Sequence, residues 1–233
     1  MEHKKRKRIV GRPPAKAQGS RNIREEFLDA ALEGFAKKGV SATSIASVAA
    51  EVGVTPAMAH YYFSGREQLL DAVVQERIIP LIDGVWADFV LTLEEGGSLV
   101  PSIEKLIDNL LQATEKLPSL PSLWLNEIMS ESGQFKSRVL PYVQERYLSS
   151  FRKAFAAAEE RKEIADGMNP RLVILSILGS TLLPLTVTVI IGEEGFAAPG
   201  REQIAAHAKR LLVTGLLGRH DDAMPAAGIV EQN

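Results

Sequence analysis

Apolar residues recur at helical spacing along most of this chain, and nowhere do they alternate as in a half-buried strand. The clearest short pattern is Ile45, Val48, Ala49 and Val52 on one face, with Thr43 where it can cap the helix. Gly53 follows, suited to a turn that needs φ > 0. Thr55 can cap a second helix whose first position is Pro56, where a missing N–H costs nothing. On this second helix Ala59 and Phe63 point inward with Val54, while Pro56, Ala57, His60 and Tyr61 point outward. Two short helices and a tight turn predict a helix-turn-helix, its second helix short enough to enter a DNA major groove. Upstream, Ser20 to Lys38 reads as an amphipathic helix with Ile23, Phe27, Ala30, Ala31 and Phe35 in one stripe, ended by Gly39. Gly34-x-x-x-x-Gly39-Val40-Ser41 has the outline of a P-loop, but Val40 stands where Lys is required and no strand precedes it.

Downstream, Ser64 with Glu67 three residues on reads as a capping box that opens a long helix to about Leu93. Pro80 predicts a kink or break in it, and Gly84 a second soft point. Residues 94–97 form a loop. Ser98 to Lys116 carries Ile103, Leu106, Ile107, Leu110 and Leu111 on one face. Pro118 and Pro121 mark a connection, then come a short helix from Leu123 to Met129 and a long one from Phe135 to Arg161. Residues 172–191 hold no charge and are long enough for a membrane span; the alternative is a helix buried in an oligomer core. Hydroxyl residues, Gly179 and Pro184 lower the hydrophobicity of that stretch and favour the second alternative, without a membrane. Glu202 to Leu217 is a final amphipathic helix. The fold class expected is all-α, with about nine helices.

Composition narrows the function. With 233 residues, 45% of them apolar, and a mean hydropathy of zero, a packed core is within reach. The absence of cysteine rules out disulfides and thiolate metal sites and makes a cytoplasmic protein the default. His3, His60, His207 and His220 show no ligand spacing, so neither a metal nor another cofactor is expected. No nucleophile elbow, carboxylate pair or dinucleotide glycine motif is present, so no catalytic residues are assigned. Charge is uneven. Residues 1–24 hold nine basic residues against Glu2, a net +8; since the whole chain is −2, the remainder carries −10. A basic arm on an acidic body points to a polyanionic partner. Residues 1–19 read as disordered, and with no apolar run behind the charges they are not a signal peptide. Gly11-Arg12-Pro13 resembles the core of AT-hook segments, which enter narrow minor grooves, although Val10 replaces the first Arg. The other reading is a solvated tail on phosphates. Both bring Arg6, Arg8 and Arg12 to DNA and make binding salt-dependent. Residues 220–233 read as a flexible tail.

The stretch from Thr43 to Leu70 resembles the DNA-binding signature of the TetR family of bacterial transcriptional regulators. The matching residues are Thr43, Val48-Ala49, Val52-Gly53-Val54-Thr55, Ala57, His60, Tyr62-Phe63, Arg66-Glu67 and Leu69. With Phe27 to Gly39 the resemblance covers about a fifth of the chain. Ala57, His60 and Arg66 depart from the usual Gly, aromatic and Lys. The implied organisation is a helix-turn-helix domain over 20–66 and a ligand-binding and dimerisation domain over 67–219. Ala57, Met58 and His60 suit base edges, with Pro56 and Tyr61 beside them. Thr43, Ser44, Thr55 and Tyr61 suit phosphates, and the resemblance implies the same of Tyr62 and Arg66. The body holds aromatics and methionine for an apolar pocket or an ordinary core: Trp86, Phe89, Trp124, Met129, Phe135, Tyr142 and Tyr147. The last two helices, doubled by two-fold symmetry, form a four-helix dimer interface through Leu175, Leu178, Leu182, Ala208, Leu211, Leu212 and Gly215. The expected partners are double-stranded DNA, a second copy of the chain and a small-molecule effector, as for a repressor released from a palindromic operator. The competing expectation is an architectural DNA-binding protein without a ligand.

Overall fold

The computed structural model describes residues 22–128, 130, 133–191 and 199–218, with backbone alone for 188–191. Every regular element among them is helical, and segments that join without leaving helical geometry make nine helices. Helix α1 is Ile23–Lys38, α2 is Ile45–Val52 and α3 is Pro56–Tyr62. Helix α4 joins Arg66–Val73, Val74–Ile78 and Ile79–Glu94, and α5 is Leu99–Lys116. Helix α6 joins Leu120–Leu123 and Trp124–Ile128. Helix α7 joins Lys136–Val143, Gln144–Leu148 and Ser149–Glu160, α8 is Pro170–Ile191 and α9 is Arg201–Leu216.

Pro80 does not break α4. The helix widens to a π turn at Val74–Ile78, where the Ile79 amide donates to the Val74 carbonyl five residues back. The extra residue in that turn relieves the crowding a proline ring imposes on the preceding turn. Two more π turns lie at Trp124–Ile128 and Gln144–Leu148, but these follow their prolines, Pro121 and Pro141, and do not precede them.

Two expected caps fall elsewhere. Ser44, not Thr43, caps α2: its Oγ accepts from the Ser47 amide at 3.1 Å while Ser47 Oγ accepts from the Ser44 amide at 3.0 Å. The Ser64–Glu67 box does not form. The N-cap of α4 is Gly65, and Gln68 reaches back to accept from the Ser64 amide at 2.6 Å. The helix frame sits one residue later than the motif suggests, which puts Gln68 at the third helical position.

Two apolar cores divide the molecule. The first holds Phe27, Phe35 and Phe63 from the α1–α3 end, Leu69 to Ile78 from α4, and Leu123, Phe135 and Val139 from the far side of the chain. The second lies among the later part of α4, α5, α7, α8 and α9. Helix α8 is long and apolar enough to cross a membrane by length and composition, and it packs on α9 and α5. Its buried Thr181 and Thr186 hydroxyls donate to the carbonyls of Ile177 (2.6 Å) and Leu182 (3.0 Å), which removes the cost of placing them inside. Three residues assigned from sequence to the dimer interface belong instead to this internal core. Leu182, Ala208 and Leu212 are buried within the chain because their faces of α8 and α9 turn toward each other and toward α5. Leu175, Leu211 and Gly215 stay exposed, and Leu178 is half-buried.

Candidate nucleic-acid interface and effector cavity

The α2–α3 unit is closed by local chemistry. Gly53, at φ +76°, turns the chain so that the Val54 amide donates to the Ala49 carbonyl at 2.9 Å. Thr55 Oγ1 then accepts from the Met58 amide at 3.2 Å and starts α3. Ala59 and Phe63 are buried, and the Phe63 ring stacks on Phe27 at 5.4 Å, fixing α3 against α1. That leaves Thr55, Pro56, Ala57, Met58, His60 and Tyr61 on the outward face, with Ser44 beside them. Tyr61 is 84% exposed. Tyr62 is half-buried against the first core and meets Tyr61 edge-on. Arg66 reaches toward the Ser41 carbonyl at 3.3 Å, at the rim of the same face.

Thr43 is a correction. It is 3% exposed, and its hydroxyl donates to the Gly39 carbonyl at 3.0 Å. Its methyl lies where a Cβ on Gly34 would come within 2.9 Å, so Gly34 exists to let the α1–α2 turn settle on α1. A hydroxyl satisfied inside the fold offers nothing to a phosphate. Arg6, Arg8 and Arg12 lie outside the described residues, as do Met129 and residues 220–233.

Charged pairs brace the entry to α4. Arg24 of α1 makes a two-pronged contact with Glu76, and its hydrogen bonds hold the Glu76 carboxyl below its ordinary value. Arg77 reaches back to Glu25 and Asp29 of α1. Arg138 of α7 grips Glu67 and Asp71. Burial lowers the proton affinity of Arg138, but its bonds to Asp71 and Glu67 outweigh this and the net shift is upward.

A third link is buried. Glu127, in the π turn of α6, accepts from the Val40 amide at 3.0 Å through one oxygen and from the Gln134 amide at 3.0 Å through the other. It is 6% exposed. Val40 lies in the turn before α2, so this carboxylate ties the DNA-binding end to α6. Sequence reading missed it; the available signal was one acid, next to Asn126, inside the mostly apolar stretch from Leu123 to Ile128.

On its other side α6 faces a cavity of about 790 Å³. Its wall draws Ile78, Leu123, Phe135 and Val139 from the first core and Trp86, Leu106, Phe151 and Ile177 from the second. The cavity thus sits at the seam between the two cores, and residues of all three π turns line it. Trp86, Trp124 and Phe135 line it as expected of pocket residues. Phe89, Tyr142 and Tyr147 do not. Phe89 is fully buried between Trp86 and Phe151. Tyr142 and Tyr147 both donate to Asp83 Oδ1 at 2.6 Å, and Tyr147 stacks flat on Trp86 at 5.2 Å. Burial and the Asp83 carboxylate push both phenols upward, so they stay protonated and back the cavity wall.

The family profile described as "Bacterial regulatory proteins, tetR family" matches residues 27–73, which run from the middle of α1 into α4. Residues 27–73 therefore form a domain of the TetR type. It is 27% identical over 178 residues to the HTH-type transcriptional regulator BetI of Rhizobium meliloti, a match covering 73% of this chain and 86% of that one. Among solved structures it is similar to a TetR-family regulator from Marinobacter aquaeolei VT8, with a TM-score of 0.61, 21% identity and 83% and 95% of the two chains covered. It is similar also to FadR of Bacillus subtilis, solved in complex with stearoyl-CoA, with a TM-score of 0.60, 18% identity and 84% and 99% covered. Transcriptional regulators that carry this domain bind DNA. Helices α2 and α3 lie within the matched residues.

Proposed function

We propose that this regulator is a cytoplasmic homodimeric repressor, released from a palindromic operator by a small apolar effector that enters the cavity at the seam of the two cores. The observation that carries the reading is the position of α6. One face of it lines the cavity through Leu123, Trp124 and Ile128, and the Glu127 carboxylate on its other side holds the turn before α2. A ligand that favours a different seat for α6 therefore favours a different setting of the DNA-binding end, and release follows from its differential affinity for the two states. FadR, crystallised with stearoyl-CoA, lends support for an apolar effector. The division of labour we propose runs from the helix-turn-helix over residues 20–66 to the effector-binding and dimerising body over 67–219. Dimerisation would use exposed Leu175 and Leu211, with Leu172, Leu183 and Gly215 beside them. The two α3 helices must then stand about 34–36 Å apart to meet successive major grooves, a spacing that a small body motion destroys.

On the operator, Ala57, Met58 and His60 would read base edges in the major groove, with Pro56 and Tyr61 on the flank. Ser44, Thr55, Tyr62 and Arg66 would hold phosphates, with Arg6, Arg8 and Arg12 of the arm adding sequence-independent attraction. Selection of duplex sites from a random pool, with and without residues 1–19, tests the reading. A palindrome enriched in both cases supports it. Enrichment lost with the arm would favour an architectural DNA-binding protein. On the selected site, His60→Ala should change base preference, whereas Arg66→Ala should weaken all sites alike and flatten the salt dependence by about one phosphate contact.

A further inference from the structure

The lining of the cavity is chemically one-sided. Among the described residues it is apolar except for Gln144, Arg152 and Arg171, and no Asp or Glu of theirs contributes to it. Among these residues the two arginines lack the carboxylate partner that several others in the chain have. Arg24, Arg77, Arg138 and Arg161 each pair with a carboxylate. Among the described residues, Arg152 contacts only the Leu148 carbonyl, through Nε at 3.3 Å, and the Arg171 guanidinium meets no carboxylate. Both are exposed, so they stand at the mouth while Trp86, Leu106 and Leu182 lie within. Gln144 stands beside them as a neutral donor.

Resting on the effector reading above, we propose that the effector is an amphiphile with a long apolar tail and an anionic head, the tail filling the seam and the head held by Arg152 and Arg171. A volume of about 790 Å³ suits a ligand of drug-like size or larger. Planar guanidinium forks suit carboxylate or phosphate oxygens and make the stronger, charge-assisted class of hydrogen bond. A cationic head of the same size finds no carboxylate among the described lining residues, and a neutral one leaves the charge-assisted bonds unmade.

The test uses the full chain and its own fluorescence, because both tryptophans, Trp86 and Trp124, line the cavity. Palmitate, palmitoyl-CoA, palmityl alcohol and palmityl-trimethylammonium, each below its micelle concentration, are titrated against tryptophan emission and against the complex with the selected duplex. Palmitate or palmitoyl-CoA should bind at least about tenfold more tightly than the alcohol and should release DNA. Which of the two is tighter distinguishes a free carboxylate from a thioester with phosphates in its head. The double variant Arg152→Gln/Arg171→Gln should lose about tenfold or more for the anionic probes and keep the alcohol's affinity, with unchanged thermal unfolding. Equal binding of alcohol and palmitate, preference for the trimethylammonium, or equal loss of all probes in the variant would overturn the anionic head while leaving the effector reading intact. Failure of every probe to bind or to release DNA would remove both.

Discussion

The two ends of this molecule solve their packing problems differently. The DNA-binding end is tight: Phe27, Phe35 and Phe63 are fully buried, a glycine is spent to let Thr43 settle on α1, and the helices are stopped by caps within a residue or two. The body around α6 and α7 is loose. Its helices contain π turns, and Trp124, Ile128, Gln144 and Leu148 of those turns line an open cavity. Tight packing suits a surface that must keep a fixed shape against DNA. Wide turns around a void leave a region able to exist in more than one packing, as ligand-driven switching requires.

The comparison breaks first at its aromatic residues. Phe63→Ala should cost about 3–5 kcal/mol and abolish DNA binding, whereas Trp124→Ala at the cavity wall should cost about 1 kcal/mol and spare it. Chemical denaturation of the two variants checks this, and equal losses would erase the contrast. Next comes the link between the ends. Glu127→Ala leaves the Val40 and Gln134 amides without their acceptor and should cost about 1–3 kcal/mol. It should also weaken operator binding without effector more than unfolding alone explains, as seen by titrating the stability-matched fraction of folded protein. Smaller is the cap: Ser44→Ala should lower stability by about 1 kcal/mol, and Ser64→Ala, lacking any cap bond, should be nearly neutral in the same thermal melts. Smallest is a pH effect at the α1–α4 brace. Because Arg24 holds the Glu76 carboxyl below its ordinary value, the stability it lends is present above the ordinary glutamate range, about pH 4.3, and fades as pH falls through the lowered value. The thermal midpoints of the wild type and Arg24→Gln should therefore differ at neutral pH and converge in acid.

What could be read from sequence follows the range of the interactions involved. Gly53, Thr55, Pro56 and the α3 wheel act within four residues, and the structure has them where the spacing put them. The cap of α2 slipped from Thr43 to Ser44 because both are hydroxyl residues, and the choice is made by Gly34 nine positions upstream. In the body the decisive contacts are distant. Aromatic content pointed to a pocket, but Asp83 claims Tyr142 and Tyr147 from 59 and 64 residues away, and Trp86 with Phe151 encloses Phe89. Glu127 meets Val40 across 87 residues, a pairing no local pattern announces. The uncharged apolar run of α8 and the amphipathic face of α9 were evident, yet such patterns say that a surface is buried and not whether the chain's own helices or a second copy bury it.

The Glu127 contact bears on exchanging parts between regulators. A head transplanted from a relative at residue 66 would bring its own turn before α2, and unless that turn presents an amide where Val40 does, it would strand a carboxylate inside the joint. It would also cut through the first core, which runs on to Ile78 and takes in Leu123, Phe135 and Val139. A working chimera should therefore be cut beyond Ile78 and bring with the head the donor's own counterparts of Glu127, Phe135 and their surroundings, so that the unit that can be swapped is larger than the unit that reads DNA.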